Sequence, residues 1–582
     1  MTAEDDKKAG KNIYLQRPWL KFYPEGLPPD LDIPSVSLAQ AFDEATEKWK
    51  NKTAIIFYGK KLSYLELRDH VDRFSTALHH LGVKKGDRVA LFLLNCPQFA
   101  IAYFAALKLG AVLTPISPVY VTPEIKDQIE DSQAETLICQ DILYDYVEKT
   151  GLDLKRIILT GIGEYLPRLK KFFGKNLLKA VYQKMDIPVI KAQHKENLYW
   201  FQDLIEKTQP NPPTVDIDPK EDLALLSYTG GTTGLPKGAM LTHHNIFAGY
   251  LACQTFWSYS FEEGRNLEEG KETIAAYLPF YHIFGQVSVL ISGLIRGFAL
   301  VVLTTPDPDD IVSTVGRYGV TFFLGVPSVY EMLKDYDKTD RVDWRRLKLL
   351  MSGADSLLEG TAKSWEKRTG AVIHSGYGLT ETSSGICCNP TGRSITGSFG
   401  IPFPNTLLAV AHPEKAELMP AGETGELLVK GPQVMKGYWR RPQETEESFV
   451  EIEGETWLKT GDLGRMDHEG YFHFYDRKRD MIKYKGYSVF AREIEEVLKT
   501  HPKIKEAAVI GVPDPRVGAN IKAVVVLEPD ARGKLSEEEI LSHCQEKLAH
   551  YKIPKIIEFR GEIPRTDVGK VSRRELREER EA

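Results

Sequence analysis

Cysteine is scarce: the 582 residues contain six, with no C-x-x-C pair. That excludes a disulfide framework of the secreted kind, a zinc ribbon and a thioredoxin-like centre. Long apolar runs are also missing. The two most apolar stretches, Phe99–Ile116 and Val287–Thr304, are broken by Lys108 and Arg296, short of the roughly 20 uninterrupted residues a bilayer span needs. Met1 to Asn12 is polar and has no apolar core, so no secretory signal is expected. A basic excess is lacking too: 75 Lys and Arg stand against 81 Asp and Glu, a net charge of −6. No nucleic-acid partner is expected of such a chain, although a phosphorylated small ligand needs only a local cluster of donors. There is no G-x-S-x-G elbow, which disfavours a serine hydrolase. His468 and His473 are five apart around Gly470, Tyr471 and Phe472, a strand-like stretch and not a zinc-binding helix.

What is present is ordinary globular material, 42% hydrophobic and 27% charged, enough for three or four units at about 150 residues per domain. Short β-rich runs, among them Arg88–Leu93, Arg156–Leu159, Leu223–Ser227, Phe322–Val326 and Leu347–Ser352, alternate with helical stretches such as Gln98–Leu109. That alternation predicts an α/β body with largely parallel sheets. After Gly397 closely spaced strands joined by Gly, Pro and Asp predict a small β subdomain. Beyond Arg477-Lys478-Arg479-Asp480 an independent α+β unit follows, with Ile494, Val497 and Leu498 on one face of a helix over Arg492–Thr500. The predicted architecture is a body of two α/β subdomains plus the β subdomain, residues 1–476, and a mobile α+β domain, 477–582. The hinge is placed near 476–480.

The richest segment is Thr229-Gly230-Gly231-Thr232-Thr233-Gly234-Leu235-Pro236-Lys237-Gly238, directly after the strand Leu223–Ser227. Its glycines let the backbone turn tightly and aim several N–H groups at one anion, while the threonines add hydroxyls and Lys237 a positive charge. This suits a polyphosphate. It is not a Walker A loop, because Pro236 precedes Lys237 and Gly238-Ala239 follows it.

The loop resembles the phosphate-binding signature of the adenylate-forming superfamily: acyl-CoA synthetases, luciferases and peptide-synthetase adenylation domains. Further family segments follow in order. They are Leu278–His282, Ser352–Asp355, Gly376–Thr382, Gly425–Leu427, Thr460–Asp462, Asp476–Lys483 and Pro564–Lys570. The resemblance runs from about Lys52 to Lys570 and implies activation of a carboxylate by ATP and Mg²⁺, followed by attack of a thiol, usually that of coenzyme A. It implies that Thr229 to Gly234 and Lys237 hold the phosphates, with Thr229 and Glu381 toward Mg²⁺. It further assigns Thr380 to the α-phosphate, Gly353, Ala354 and Asp355 to the adenine turn, and Gly376, Tyr377 and Gly378 to the nucleotide, Tyr377 stacking on the base. Asp462 would accept the ribose hydroxyls, with Arg477 beside it. Lys570 would carry positive charge to the reacting carboxylate, Arg479 would be the hinge, and Gly486 and Tyr487 would face coenzyme A.

The acid itself is constrained by what Leu278 to Val289 lacks: no Asp or Glu is there to pair with an ammonium, which argues against amino acids. Tyr281, Phe284 and Gly285 suit an apolar acyl pocket. His282 is placed either near the carboxylate or in packing, hydrogen-bonded to backbone. The chain most resembles long-chain fatty-acid–CoA ligases. Delivery to a carrier protein, an aryl or short-chain acid, and a catalytically silent binder are the alternatives. The basic, partly apolar stretch Arg168–Lys184 suggests contact with an anionic membrane surface; a solvated helix docked on the body is the alternative. A cytoplasmic location is expected, with peripheral association at the inner membrane face and a homodimer left open. Ala491 stands where relatives usually carry Pro.

Removing one preorganised donor to developing charge costs about 10²–10³ in rate. Lys570→Ala is therefore expected to abolish adenylate formation while pre-made acyl-adenylate is still converted to thioester. Equal loss of both half-reactions refutes this role.

Overall fold

Short apolar runs and the helices between them build two large sheets, a small antiparallel sheet, and a C-terminal sheet with its own core. The computed structural model describes residues 13–167, 196–229, 236–485, 487–514, 516–565 and 571–578. Gly230 to Gly234, the basic stretch Arg168–Lys184, Gly486 and Lys570 lie outside the described residues. Arg479 and Tyr487 are described as backbone only.

The first sheet has seven strands, in the order Leu198–Trp200, Arg156–Thr160, Thr136–Gln140, Arg88–Phe92, Val112–Pro115, Leu223–Tyr228 and Gly238–Thr242. Neighbours are parallel until the last pair, which is antiparallel. The second sheet has nine strands. Its parallel centre runs from Thr53–Phe57 through Ala299–Val302, Thr273–Ala276, Phe322–Gly325 and Leu349–Ser352 to His374–Leu379. Antiparallel strands close both edges. Parallel strands buried on both faces read as continuous apolar runs, which is why the sequence pattern located them to within a few residues. The strand Lys60–Ser63 was not expected; two of its four residues are lysines, as suits a sheet edge.

The helix Pro97–Lys108 is buried along its whole length except at Lys108, whose ammonium reaches Asp43 at 2.7 Å and also pairs with Asp72. Arg296, the other charge interrupting an apolar run, is held by Ser258 Oγ at 3.0 Å and Glu269 at 3.3 Å. Among the described residues no helix is long and apolar enough to cross a membrane.

The third sheet is antiparallel: Leu407–Ala411, Gly425–Lys430 and Glu455–Met466, with Phe449–Ile452 and Phe472–Arg477 both paired to the last. The core shared by these three sheets ends in sequence at Phe472. A separate core begins at Ile482. It lies between the helices Ala491–Lys499 and Glu537–Gln545 and one face of a sheet formed by Ile482–Tyr484, Tyr487–Val489, Ile504–Asp514, Gly518–Leu527 and Ile556–Arg560. Ala491 is the first residue of its helix, the position at which Pro is at home.

Two segments depart from the expected pattern. Residues 284–291 wind as a π-helix, a rare conformation that tends to accompany functional sites. Gly376 to Leu379, not among the expected strands, continue the strand from His374 and pair back with Ser384–Cys388. A Cβ on Gly378 would sit 2.0 Å from the Ser384 carbonyl oxygen, so only glycine permits that close return.

Lys108→Met keeps the methylene packing but leaves Asp43 and Asp72 to share Arg68, 4.0 and 3.8 Å away, as counter-charge. It is expected to cost about 3 kcal/mol, as breaking a buried ion pair does. A lower urea midpoint at unchanged slope reads this out; an unchanged midpoint refutes it.

Candidate active site

The strand Leu223–Tyr228 delivers the chain to Thr229, and the root of the loop beyond it is closed by Thr229 N–H donating to the Lys237 carbonyl at 3.0 Å. Gly238 opens the returning strand. A Cβ there would meet the Tyr228 ring at 3.1 Å, so glycine lets the two strands close tightly. Lys237 Nζ lies 5.1 Å from the centroid of the Tyr438 ring, within reach of a cation–π attraction. The Tyr438 hydroxyl in turn donates to Glu381 Oε1 at 2.7 Å. Tyr438 is carried on a short segment that adds to the strand Gly238–Thr242. Met240 N–H donates to Gly437 O, Lys436 N–H to Met240 O, and Trp439 N–H to Gly238 O, at 2.8, 3.0 and 2.8 Å. Lys237, Tyr438 and Glu381 thus form one cluster built from three distant parts of the chain.

Thr380 and Glu381 sit in a single 3₁₀ turn at the end of the strand His374–Leu379. The Thr382 hydroxyl accepts from Leu379 N–H at 3.0 Å and holds the turn. Glu381 O accepts from Met435 N–H at 2.8 Å. Three residues earlier in the strand, the Tyr377 hydroxyl donates to Asp462 Oδ2 at 2.7 Å. Asp462 is directly opposite Arg477 across two antiparallel strands, and Arg477 Nε lies 3.3 Å from Oδ1. This second cluster is deeply shielded at its centre: Asp462 is 1% exposed, and Oδ1 has no hydrogen-bond partner. Asp462 holds the Arg477 guanidinium more firmly protonated than usual. Burial, then the Asp462 charge, pushes the Tyr377 phenol well up, so its hydroxyl stays a donor. One Asp462 oxygen is therefore engaged by Tyr377, whereas the expected arrangement has both facing a ribose.

Gly353, Ala354 and Asp355 follow the strand Leu349–Ser352. Gly353 N–H donates to Gly325 O at 3.0 Å, Ala354 takes a left-handed φ of 68°, and exposed Asp355 accepts from Ser356 N–H at 2.7 Å. A Cβ on Gly353 would contact the Phe284 ring at 3.2 Å, so the turn and the expected acyl pocket share a wall. Gly285 is equally tight, since a Cβ would fall 2.1 Å from the Pro279 carbonyl oxygen. Tyr281 is half-buried beside them. His282 Nδ1 accepts from Phe284 N–H at 3.3 Å, which puts the proton of a neutral ring on Nε2. Buried Asn95 fixes the whole segment by donating to Leu278 O and accepting from Phe280 N–H, each at 2.8 Å.

At the junction with the C-terminal unit, Lys478 bonds Glu426 at 2.7 Å and Pro413 O at 2.5 Å, both in the body. Asp480 bonds Arg577 at 2.6 Å and Arg573 at 3.4 Å, both in the last helix. Arg479 is the single residue between these opposed attachments. Asp476 Oδ2 accepts from Arg492 N–H at 3.0 Å, and Arg492 also bonds Ser356.

Residues 42–439 match the family model described as AMP-binding enzyme, and 493–570 match its C-terminal domain. The chain belongs to the AMP-binding enzyme family. This AMP-binding enzyme is 38% identical over 568 residues to a long-chain-fatty-acid–CoA ligase of Bacillus subtilis (strain 168), covering 97% of this chain and 98% of that one. A protein of the same name from Yersinia pestis is 34% identical over 571 residues, with 97% and 98% covered. Among solved structures, ATP-bound MatB from Rhodopseudomonas palustris superposes with a TM-score of 0.79 at 28% identity, over 94% of this chain and 99% of that one. Motif reading missed Tyr438 and Asn95 in the AMP-binding enzyme. Neither stands in a recognisable pattern, and their partners are 57 and 183 or more residues away.

Tyr438→Phe removes one hydroxyl from Glu381. A hydrogen bond to a charged group contributes about 1.5 kcal/mol, so ATP–pyrophosphate exchange is expected to slow about tenfold with the fold intact. Undiminished exchange would show that Glu381 does not need the phenol.

Proposed function

We propose that this AMP-binding enzyme activates a medium- to long-chain fatty acid with ATP, forming an acyl-adenylate and pyrophosphate. It then transfers the acyl group to the thiol of coenzyme A with release of AMP. The observation that carries this reading is the pair of carboxylates, Glu381 and Asp462. Each is held through one oxygen by a tyrosine hydroxyl: Glu381 by Tyr438, whose ring lies against Lys237, and Asp462 by Tyr377 of the strand His374–Leu379 that ends at the Glu381 turn.

In this reading Lys237 neutralises phosphate charge, and the Thr380 hydroxyl donates to the α-phosphate. Arg477 and Asp462 orient the ribose. The orphaned Asp462 Oδ1 is the acceptor for one hydroxyl, and exchange of the Tyr377 bond would free the second oxygen while releasing that ring toward the base. Glu381 Oε2 has no partner among the described residues, and a hard carboxylate oxygen fits Mg²⁺, with Thr229 at the loop root as the second expected contact. The metal supplies charge neutralisation on the polyphosphate when bound. Gly353, Ala354 and Asp355 border the adenine. Lys570 is assigned by motif to the attacking carboxylate.

The substrate rests on three supports. Phe284, Tyr281 and the tight Gly285 turn give an apolar wall, Leu278 to Val289 offers no acid to an ammonium, and both relatives above are named for long-chain fatty acids. His282, its Nδ1 occupied by backbone, could present only Nε2 to a carboxylate. Rotation of residues 477–582 about Arg479 would exchange Lys570 for Gly486 and Tyr487 between the two steps; the opposed ion pairs of Lys478 and Asp480 favour that position for the hinge. Cytoplasmic location, contact with an anionic membrane face and a homodimer belong to the same proposal and rest on the sequence alone.

Pyrophosphate release should be measured with carboxylates from acetate to oleate and with aryl acids, with and without coenzyme A. The expected response peaks on long alkyl chains. Activity on aryl acids alone would overturn the substrate, and no release with any acid would overturn the reaction.

A further inference from the structure

Asp131 is far from every segment that carries a recognisable motif. It is the penultimate residue of the helix Thr122–Ser132, under the seven-stranded sheet. Its place there is unfavourable for the helix, because a carboxylate near a helix C-terminus faces the negative end of the macrodipole. The surrounding contacts explain why it is there.

One oxygen, Oδ2, accepts from the Tyr228 hydroxyl at 2.7 Å. The other, Oδ1, accepts from Arg441 Nη2 at 3.2 Å. The main-chain carbonyl of Asp131, one of those a helix end leaves unpaired, accepts from Trp439 Nε1 at 3.1 Å. Tyr228 is the last residue of the strand that runs into Thr229. Trp439 and Arg441 flank the segment whose Tyr438 holds Glu381 and lies against Lys237. One residue thus ties the strand that leads into the phosphate loop to the segment that carries Tyr438, the partner of Glu381.

We infer that Asp131 is a positioning residue for ATP: through Tyr228 on one oxygen and Arg441 on the other, it sets the separation between the root of the Lys237 loop and the Tyr438–Glu381 pair. It touches no substrate. An amide could reach both partners only by reversing the Tyr228 bond, its NH₂ donating to the phenol oxygen, and it would leave the Arg441 guanidinium without the carboxylate charge. The inference rests on the reading of the site as an ATP site, and it adds a residue that acts only on the first half-reaction.

The test compares wild type with Asp131→Asn and Tyr228→Phe in the full chain, each assayed twice. ATP–pyrophosphate exchange with oleate reports adenylation, and conversion of synthetic oleoyl-adenylate and coenzyme A to thioester reports the second step. Both variants are expected to raise the KM for ATP about 10-fold to 100-fold, with an unchanged KM for oleate and an unchanged second step. The double variant is expected to be no worse than Asp131→Asn alone, because the two residues share one bond. An unchanged KM for ATP in both variants, or equal losses in both half-reactions, would overturn the inference. Should Asp131→Asn fail to fold, Tyr228→Phe, which removes only a hydroxyl, decides alone. Absence of exchange in the wild type would instead overturn the assignment of the site.

Discussion

A carboxylate shut away from water with an incomplete set of partners is costly, and Asp462 is such a group. The fold tolerates it because three elements converge on it: the strand bearing Tyr377 from the nine-stranded sheet, and the two antiparallel strands bearing Asp462 and Arg477. Without the guanidinium the acid would lose its counter-charge. Without the phenol it would lose the hydrogen bond that it has in the structure. The Tyr377–Asp462 bond is thus a polar tie between the small antiparallel sheet and the nine-stranded sheet, added to the apolar core they share, and the turn carrying Thr380 and Glu381 follows Tyr377 on the same strand.

The division of the chain obeys a different rule. The apolar core of the body and that of the C-terminal unit do not merge, and contacts across the junction include polar ones, Asp476 with the Arg492 N–H, Arg492 with Ser356 and Lys483 with Glu414 at 3.6 Å, beside the ring pair Tyr475–Phe490. Within the C-terminal unit the opposite holds. Arg573 makes a bidentate pair with Glu495 at 2.8 Å and a further contact with Asp480, and these acids outweigh the effect of burial to hold the guanidinium protonated. Ionic bonds are stiff inside the unit and few across its boundary. That construction suits the proposed rotation of residues 477–582 as one piece.

The buried parallel strands were legible because burial on both faces writes an unbroken apolar run, and Lys237, Glu381 and Asp462 were singled out as candidates because the proposed chemistry calls for particular residue types in short ordered segments. Tyr438, Asn95 and Asp131 were not. Each acts through partners 57 to 310 residues away, and a single Tyr, Asn or Asp in an ordinary local context carries no mark of those distant contacts. The strand from Gly376 to Leu379 was not among the runs recognisable as strand, because two glycines weaken strand propensity. They are there to allow close backbone approach, which sequence alone does not distinguish from flexibility.

Tyr377–Asp462 and Tyr438–Glu381 are the same device used twice. In the proposed reading each acid serves a nucleotide or its metal in its ionised form, and each has one oxygen already engaged by a phenol. A cation as sole partner would compete with the metal or enter a tight pair. A phenol satisfies one oxygen without contributing charge, and burial together with the adjacent acid drives both phenols up, so neither loses its proton at neutral pH. Each bond can exchange for a ligand hydroxyl or a metal at the cost of one neutral hydrogen bond, and it can re-form when the ligand leaves. The site is thereby kept structured between turnovers by groups weak enough to be displaced, and residues such as Asp131, which no ligand displaces, keep those groups in place.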